Sequence, residues 1–293
     1  MDAHSIRMAD GTRSVASFFA ADQTSPLVIC LPAMGVRAAF YQPVAEALQQ
    51  RGLNVLTADL RGLGTSSVQV QRGVDFGYHE MLSYDWPAVV QTARRLRPAS
   101  RLYLMGHSLG GQLSALYLSL EPRAADGLIL VASCSVHYTG WPFPRNLGIL
   151  AGTGLACCLA SGLGYFPGHR LGFGGMAART VIRDWARNAW TGDYRLAHSS
   201  IDFEKRLAHM PKPVLALAFK GDGFAPLAAV RNLCRKMPRA PQRLVELNRT
   251  ATNGRGLDHF GWVKHAAPVV DCICDWIASR SAAAGGRIFS PRL

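Results

Sequence analysis

A serine hydroxyl is a weak nucleophile at neutral pH. It becomes a strong one when an imidazole takes its proton and a carboxylate holds that imidazole in place. Residues of all three types stand at suggestive places in this chain. Ser108 lies in Gly106-His107-Ser108-Leu109-Gly110. The apolar run Arg101–Met105 before it is a predicted strand, and Gly111–Leu120 after it has apolar residues at helical spacing. A Gly-x-Ser-x-Gly between strand and helix is a nucleophile elbow, a turn so tight that glycines must flank the serine. The helix N-terminus then faces the hydroxyl.

The base and its acid should follow in the order Ser, Asp, His, at the C-terminal ends of strands. His259 sits in the loop Gly254–Gly261 after the predicted strand Arg243–Leu247, where it is free to swing over the elbow. His265 is committed to the start of the last helix. Asp222 follows the predicted strand Val214–Phe219 and is the expected acid. Asp258 competes, but side chains of neighbouring residues diverge, so it is poorly placed to reach the His259 ring. Two backbone N–H groups must meet a developing oxyanion. Leu109 supplies one. The loop Pro32-Ala33-Met34-Gly35 supplies the other, with Met34 the first candidate and Ala33 the second, because Pro32 has no N–H.

These residues need a scaffold. The predicted elements are a hairpin with an Asp10-Gly11 turn, strands Leu27–Leu31 and Asn54–Ala58, helices Phe40–Arg51 and Ser83–Arg97, the elbow strand and helix, and strand Leu128–Ala132. Alternation then stops from about His137 to about His209, a segment with no clear strand, many glycines and clustered aromatics. It resumes with strand Val214–Phe219, helix Leu227–Met237, strand Arg243–Leu247 and helix Ala267–Ser279. Such alternation implies an α/β fold, a mostly parallel sheet with helices on both faces. The expected organisation is a core in two parts, 1–136 and 210–279, a helical cap insertion at 137–209, and a flexible tail at 280–293.

The chain has 293 residues, 49% of them hydrophobic, enough for a substantial core. Its net charge is +13, but the arginines are scattered and no run of five basic residues occurs, which argues against nucleic-acid binding. Seven cysteines with no Cys-x-x-Cys read as small buried hydrophobes in a reducing compartment, and the N-terminus lacks a signal-peptide core. Cytoplasm is the expected location. Asn146–Gly168 is uncharged and long enough to span a bilayer, but six glycines interrupt it, so a packed cap helix is expected and no stable membrane insertion. Trp185 and Trp190 read as core of that cap rather than pocket lining. Gly62-Leu63-Gly64 lacks the third glycine of a dinucleotide fingerprint, no Gly-Lys-Ser/Thr occurs, and His79-Glu80 lacks a second histidine, so neither cofactor nor metal is expected.

With Gly106–Gly110, Asp222 and His259 in this order, the chain resembles the α/β-hydrolases over about residues 5–279. Asp59-Leu-Arg-Gly-Leu-Gly-Thr-Ser66 is similar to a stretch common in that superfamily, whose glycines shape a loop that Asp59 ties down. Arg72–Tyr78, Gly164–Gly172 and His259–Trp262 are similar to uncharacterised bacterial serine hydrolases near the serine aminopeptidases and monoacylglycerol lipases. Many relatives carry His-Gly where this chain has Pro32-Ala33, which implies an oxyanion loop of different shape. The expectation is a serine hydrolase acting on a small-molecule ester or thioester with a hydrophobic acyl or alkyl group, through an acyl-enzyme. Phe143, Leu147, Ile149, Leu150, Leu155, Tyr165, Phe166 and Phe173 are the candidates to bury that group. The alternatives are amide or peptide cleavage, acyl transfer with the same residues, and a non-catalytic binder on the same fold.

Overall fold

The computed structural model describes residues 1–172, 174–248 and 256–285. The chain begins with the expected hairpin, β1 (Asp2–Arg7) and β2 (Arg13–Phe19), turned at Gly11. Next come β3 (Leu27–Leu31), α1 (Gln42–Gln50) and β4 (Asn54–Ala58). The following helical stretch starts earlier than Ser83. A single turn, α2 (Tyr78–Glu80), passes through a π-helical turn at Met81–Asp85 into α3 (Trp86–Leu96). Pro87 explains the irregular turn, since it has no N–H to continue a regular α-helical ladder. Then follow β5 (Leu102–His107), α4 (Leu109–Leu120) and β6 (Gly127–Val131).

Between β6 and the next sheet strand lie α5 (Arg145–Leu163), β7 (Tyr165–Pro167), β8 (Met176–Ala178), α6 (Arg179–Thr191) and α7 (Phe203–Ala208). The expectation of no strand here is corrected: β7 and β8 pair antiparallel as a small separate hairpin. Three-residue strands are too short to carry a period in the sequence. The chain closes with β9 (Val214–Phe219), α8 (Leu227–Arg235), β10 (Gln242–Leu247) and α9 (Ala267–Gly285). α9 runs six residues past Ser279, and residues 286–293 of the expected tail lie outside the described residues.

The eight sheet strands are ordered β1-β2-β4-β3-β5-β6-β9-β10. The β1-β2 and β2-β4 pairs are antiparallel and the rest are parallel. Strands β3, β4, β5, β6 and β9 are buried along their whole length. That is why β3, β6 and β9 read as continuous apolar runs instead of alternating ones. Asp59, just past β4, ties down the loop as expected. It accepts hydrogen bonds from the N–H of Ala38 (2.7 Å) and from the N–H of Thr65 (2.9 Å). β5 is central, so the loops after β3, β5, β9 and β10 converge at one edge of the sheet.

Candidate active site

β5 delivers the chain to Ser108, which has φ +51° and ψ −117°. A non-glycine residue in that region is strained, and it is held there by close packing on both sides. A Cβ on Gly106 would collide with the backbone of Gly110 and Gly111. One on Gly110 would stand 2.5 Å from the carbonyl oxygens of Leu31 and Pro32. The two glycines therefore let α4 begin directly against β3 and leave the Ser108 hydroxyl above the sheet edge.

His259 Nε2 is 3.1 Å from Ser108 Oγ, and His259 Nδ1 is 2.9 Å from Asp222 Oδ2. A carboxylate can only accept, so Nδ1–H donates to Asp222, and Nε2 accepts from the serine hydroxyl. Asp222 is itself fixed: its Oδ1 accepts from the N–H groups of Phe224 (2.8 Å) and Ala225 (3.1 Å). The Asp222 side chain is fully buried and that of His259 is 8% exposed. Asp258 faces the other way. Its Oδ1 accepts from the N–H groups of Phe260 (3.1 Å) and Gly261 (2.7 Å), closing the turn after His259. His265 is in neither arrangement, while Ser108, Asp222 and His259 are brought into one hydrogen-bonded chain across 151 residues of sequence.

Leu109 is the first residue of α4, so its N–H has no intrahelical acceptor. In the loop after β3, the Ala33 N–H is already used. It donates to the Tyr41 hydroxyl at 2.9 Å. Pro32 has no N–H, and Met34 and Leu109 both border the cavity over Ser108.

The Tyr41 contact was not foreseen. Its hydroxyl is also 2.7 Å from His107 Nδ1, and both side chains are completely buried. Burial keeps the phenol protonated, raising Tyr41 well above its ordinary value. Burial, and then the nearby His259, hold His107 well below the usual histidine range, so its ring is neutral. Nothing local signals the pair, which is separated by 66 residues.

A cavity of about 360 Å³ lies over Ser108 and His259. Ile149, Leu155 and Phe166 line it as expected, together with Trp141, Leu159 and Trp185. Several expectations are corrected here. Trp185 is a wall of the cavity. Phe143 and Leu147 are 78% and 54% exposed and, with Leu150 and Tyr165, do not line it. Of α5, Ile149, Gly152, Leu155, Ala156 and Leu159 line the cavity, whereas Leu147, and Phe143 before the helix, do not. Trp190 is half-exposed and donates from Nε1 to Thr153 Oγ1 at 2.9 Å. Phe173 lies outside the described residues. No Asp, Glu, Lys or Arg among the described residues lines the cavity. Cys134 does, but burial and then the Asp222 charge push its thiol up, so it is no rival nucleophile. Among the described residues no group of three His, Cys, Asp or Glu side chains is arranged to hold a metal ion.

The family model described as "Serine aminopeptidase, S33" matches residues 22–153 of the chain. A relative from Agrobacterium fabrum, "Putative carbamate hydrolase RutD", is 24% identical over 244 residues, which cover 79% of this chain and 88% of that protein. Among solved structures, Est1E from Butyrivibrio proteoclasticus, with ferulic acid bound, superimposes with a TM-score of 0.67. The match has 19% identity and covers 95% of this chain and 99% of that one. The thioesterase domain from the curacin biosynthetic pathway gives 0.57 at 16% identity, over 92% and 99% of the two chains. At these identities the likeness is one of fold.

Proposed function

We propose that this chain, an α/β-hydrolase by fold, is a serine hydrolase that cleaves carboxylic esters or thioesters with an uncharged, apolar acyl or alkyl group. One observation carries the reading: the unbroken chain of hydrogen bonds from Ser108 through His259 to Asp222 at the base of an apolar cavity. Ser108 Oγ attacks the carbonyl carbon as its proton passes to His259 Nε2. The imidazolium so formed is stabilised by Asp222. Charge gathers on the carbonyl oxygen, where the N–H groups of Met34 and Leu109 receive it. Collapse of the tetrahedral adduct breaks the bond to the leaving alcohol or thiol, which takes the proton from His259. Water, deprotonated by the same imidazole, then attacks the acyl-enzyme and releases the carboxylic acid and free Ser108.

The segment 137–209 acts as the cap that encloses the substrate. The family model is described for an aminopeptidase, but the cavity has no carboxylate among the described residues to receive a peptide's ammonium group. An uncompensated charge would be expensive to bury there. The same walls favour a neutral chain, each buried methylene contributing about 0.8 kcal/mol. With p-nitrophenyl esters, kcat/KM should rise from acetyl to at least butyryl, by at most about fourfold per methylene. A steady fall from acetyl onward would refute the apolar-acyl reading.

A further inference from the structure

α5 is the one helix among the described residues long and apolar enough to cross a bilayer, yet only Thr153, Ala156 and Ala160 of its 19 residues are fully buried. Its inner face is seated and its outer face is bare. The bare face holds Leu147, Ala151, Leu155, Cys158 and Gly162, at the spacing of a single helical stripe. Leu155 is 62% exposed and Leu163, at the helix end, 43%. Phe143 precedes the helix and exposed Leu171 follows the β7 strand, both on the surface. No residue inside α5 after Arg145 carries a charge.

The surroundings of this stripe are basic. Arg145 opens the helix, Arg72 packs against Gly164 at its end, and His169 and Arg170 follow shortly; all four side chains are exposed. From Gly127 to Arg183 the chain contains no Asp or Glu. Two such faces brought together would oppose like charges, which disfavours a second copy of the chain as the occupant. An apolar stripe rimmed by cations is complementary to an anionic lipid surface. Spanning the bilayer is not open to α5. It would tear Thr153, Ala156 and Ala160 from their seats and break the Trp190–Thr153 hydrogen bond.

We propose that α5 lies flat in the interface of an anionic membrane and docks the protein there. Gly148, Gly152 and Leu155 are exposed on this helix and also line the cavity over Ser108. The docked face and the cavity wall are therefore continuous, and an acyl chain can pass from lipid to the cavity without crossing water. The delivery of substrate rests on the function proposed above, whereas the docking itself does not.

The test is co-sedimentation of the full chain with phosphatidylcholine vesicles, with and without phosphatidylglycerol. Binding should be tighter with phosphatidylglycerol, on the order of a hundredfold if three arginines meet the surface, and should weaken with salt. Leu147→Asp combined with Cys158→Asp changes two exposed residues that do not line the cavity. It should cut vesicle binding by at least about tenfold, with circular dichroism and turnover of a water-soluble short ester unchanged. Arg145→Glu with Arg170→Glu should remove the preference for phosphatidylglycerol and leave the fold intact. Ser108→Ala should bind vesicles as the unaltered protein does, so the docking can be judged even if ester hydrolysis is never found. Equal binding to both vesicle types, binding unaffected by the Leu147 and Cys158 changes, or self-association in the absence of any vesicle binding would each overturn the proposal.

Discussion

Replacing Tyr41 with Phe removes one oxygen atom and tests how the oxyanion loop is held. That oxygen accepts the Ala33 N–H at 2.9 Å and lies 2.7 Å from His107 Nδ1, in a wholly buried place. The phenol stays protonated and the imidazole neutral. The arrangement that uses each group has the hydroxyl accepting from Ala33 and donating to Nδ1. Phenylalanine fills the same space and leaves a buried donor and a buried acceptor without partners. Each such group costs about 1–3 kcal/mol, so Tyr41→Phe should lose about 2–6 kcal/mol. Against a total of about 5–15 kcal/mol that is a large fraction. The urea midpoint, read by circular dichroism, should fall by about 1 M, with the slope unchanged. Hydrolysis should suffer as well, because Ala33 precedes the proposed donor Met34. A loop released from its tether should lower kcat by about ten- to a hundredfold with little change in KM. A Tyr41→Phe protein with unchanged midpoint and unchanged kcat would refute this reasoning.

Other changes separate the groups around His259 and the supports of the cap. Asp222→Asn should lower kcat on the order of 10⁴-fold by favouring the wrong imidazole tautomer, whereas Asp258→Asn should change it little; steady-state kinetics of the two variants would expose an exchange of roles. Asp75 accepts the Thr180 N–H (2.9 Å) and the Thr180 hydroxyl (2.8 Å), serving as a cap for α6 supplied from a distant loop. Asp75→Ala should cost about 1 kcal/mol at neutral pH, measured by urea unfolding. Burial raises the Asp75 carboxyl, but the Thr180 donors and Arg179 outweigh it, and the net shift is downward. A carboxyl lowered in the folded state stabilises fully above its unfolded value of about 3.9, and loses that contribution as pH falls through the lower folded value. The stability gap between the unaltered protein and Asp75→Ala should therefore close in acid, and a gap that widened there would contradict the sign.

Much of the site was legible because its signals are local. The elbow is five consecutive residues whose glycines are demanded by backbone contacts on both sides of Ser108. Asp222 stands just past the buried strand β9 and His259 in the loop after the edge strand β10, on the side where a parallel sheet gathers its reacting groups. The Asp59 loop was legible for the same reason, since its anchor and its glycines lie within a few residues. What escaped depended on contacts remote in sequence or on an absent period. Tyr41 and His107 meet across 66 residues. The β7–β8 hairpin has three residues per strand. α5 is apolar on every side, so composition could not say which residues face the cavity; Ile149 and Leu155 do, and Phe143 and Leu147 do not. Trp185 read as core for the same reason, because a cavity wall and a core have the same composition.

Ser108 is the proposed nucleophile, activated by His259 and Asp222. Treatment of the native chain with a fluorophosphonate, followed by intact-mass and peptide mass spectrometry, tests it most directly. A single adduct is expected, on the peptide containing Ser108, absent in Ser108→Ala and formed far more slowly in His259→Ala. A folded protein that takes up no label, or a Ser108→Ala variant labelled as fast as the unaltered chain, would contradict it.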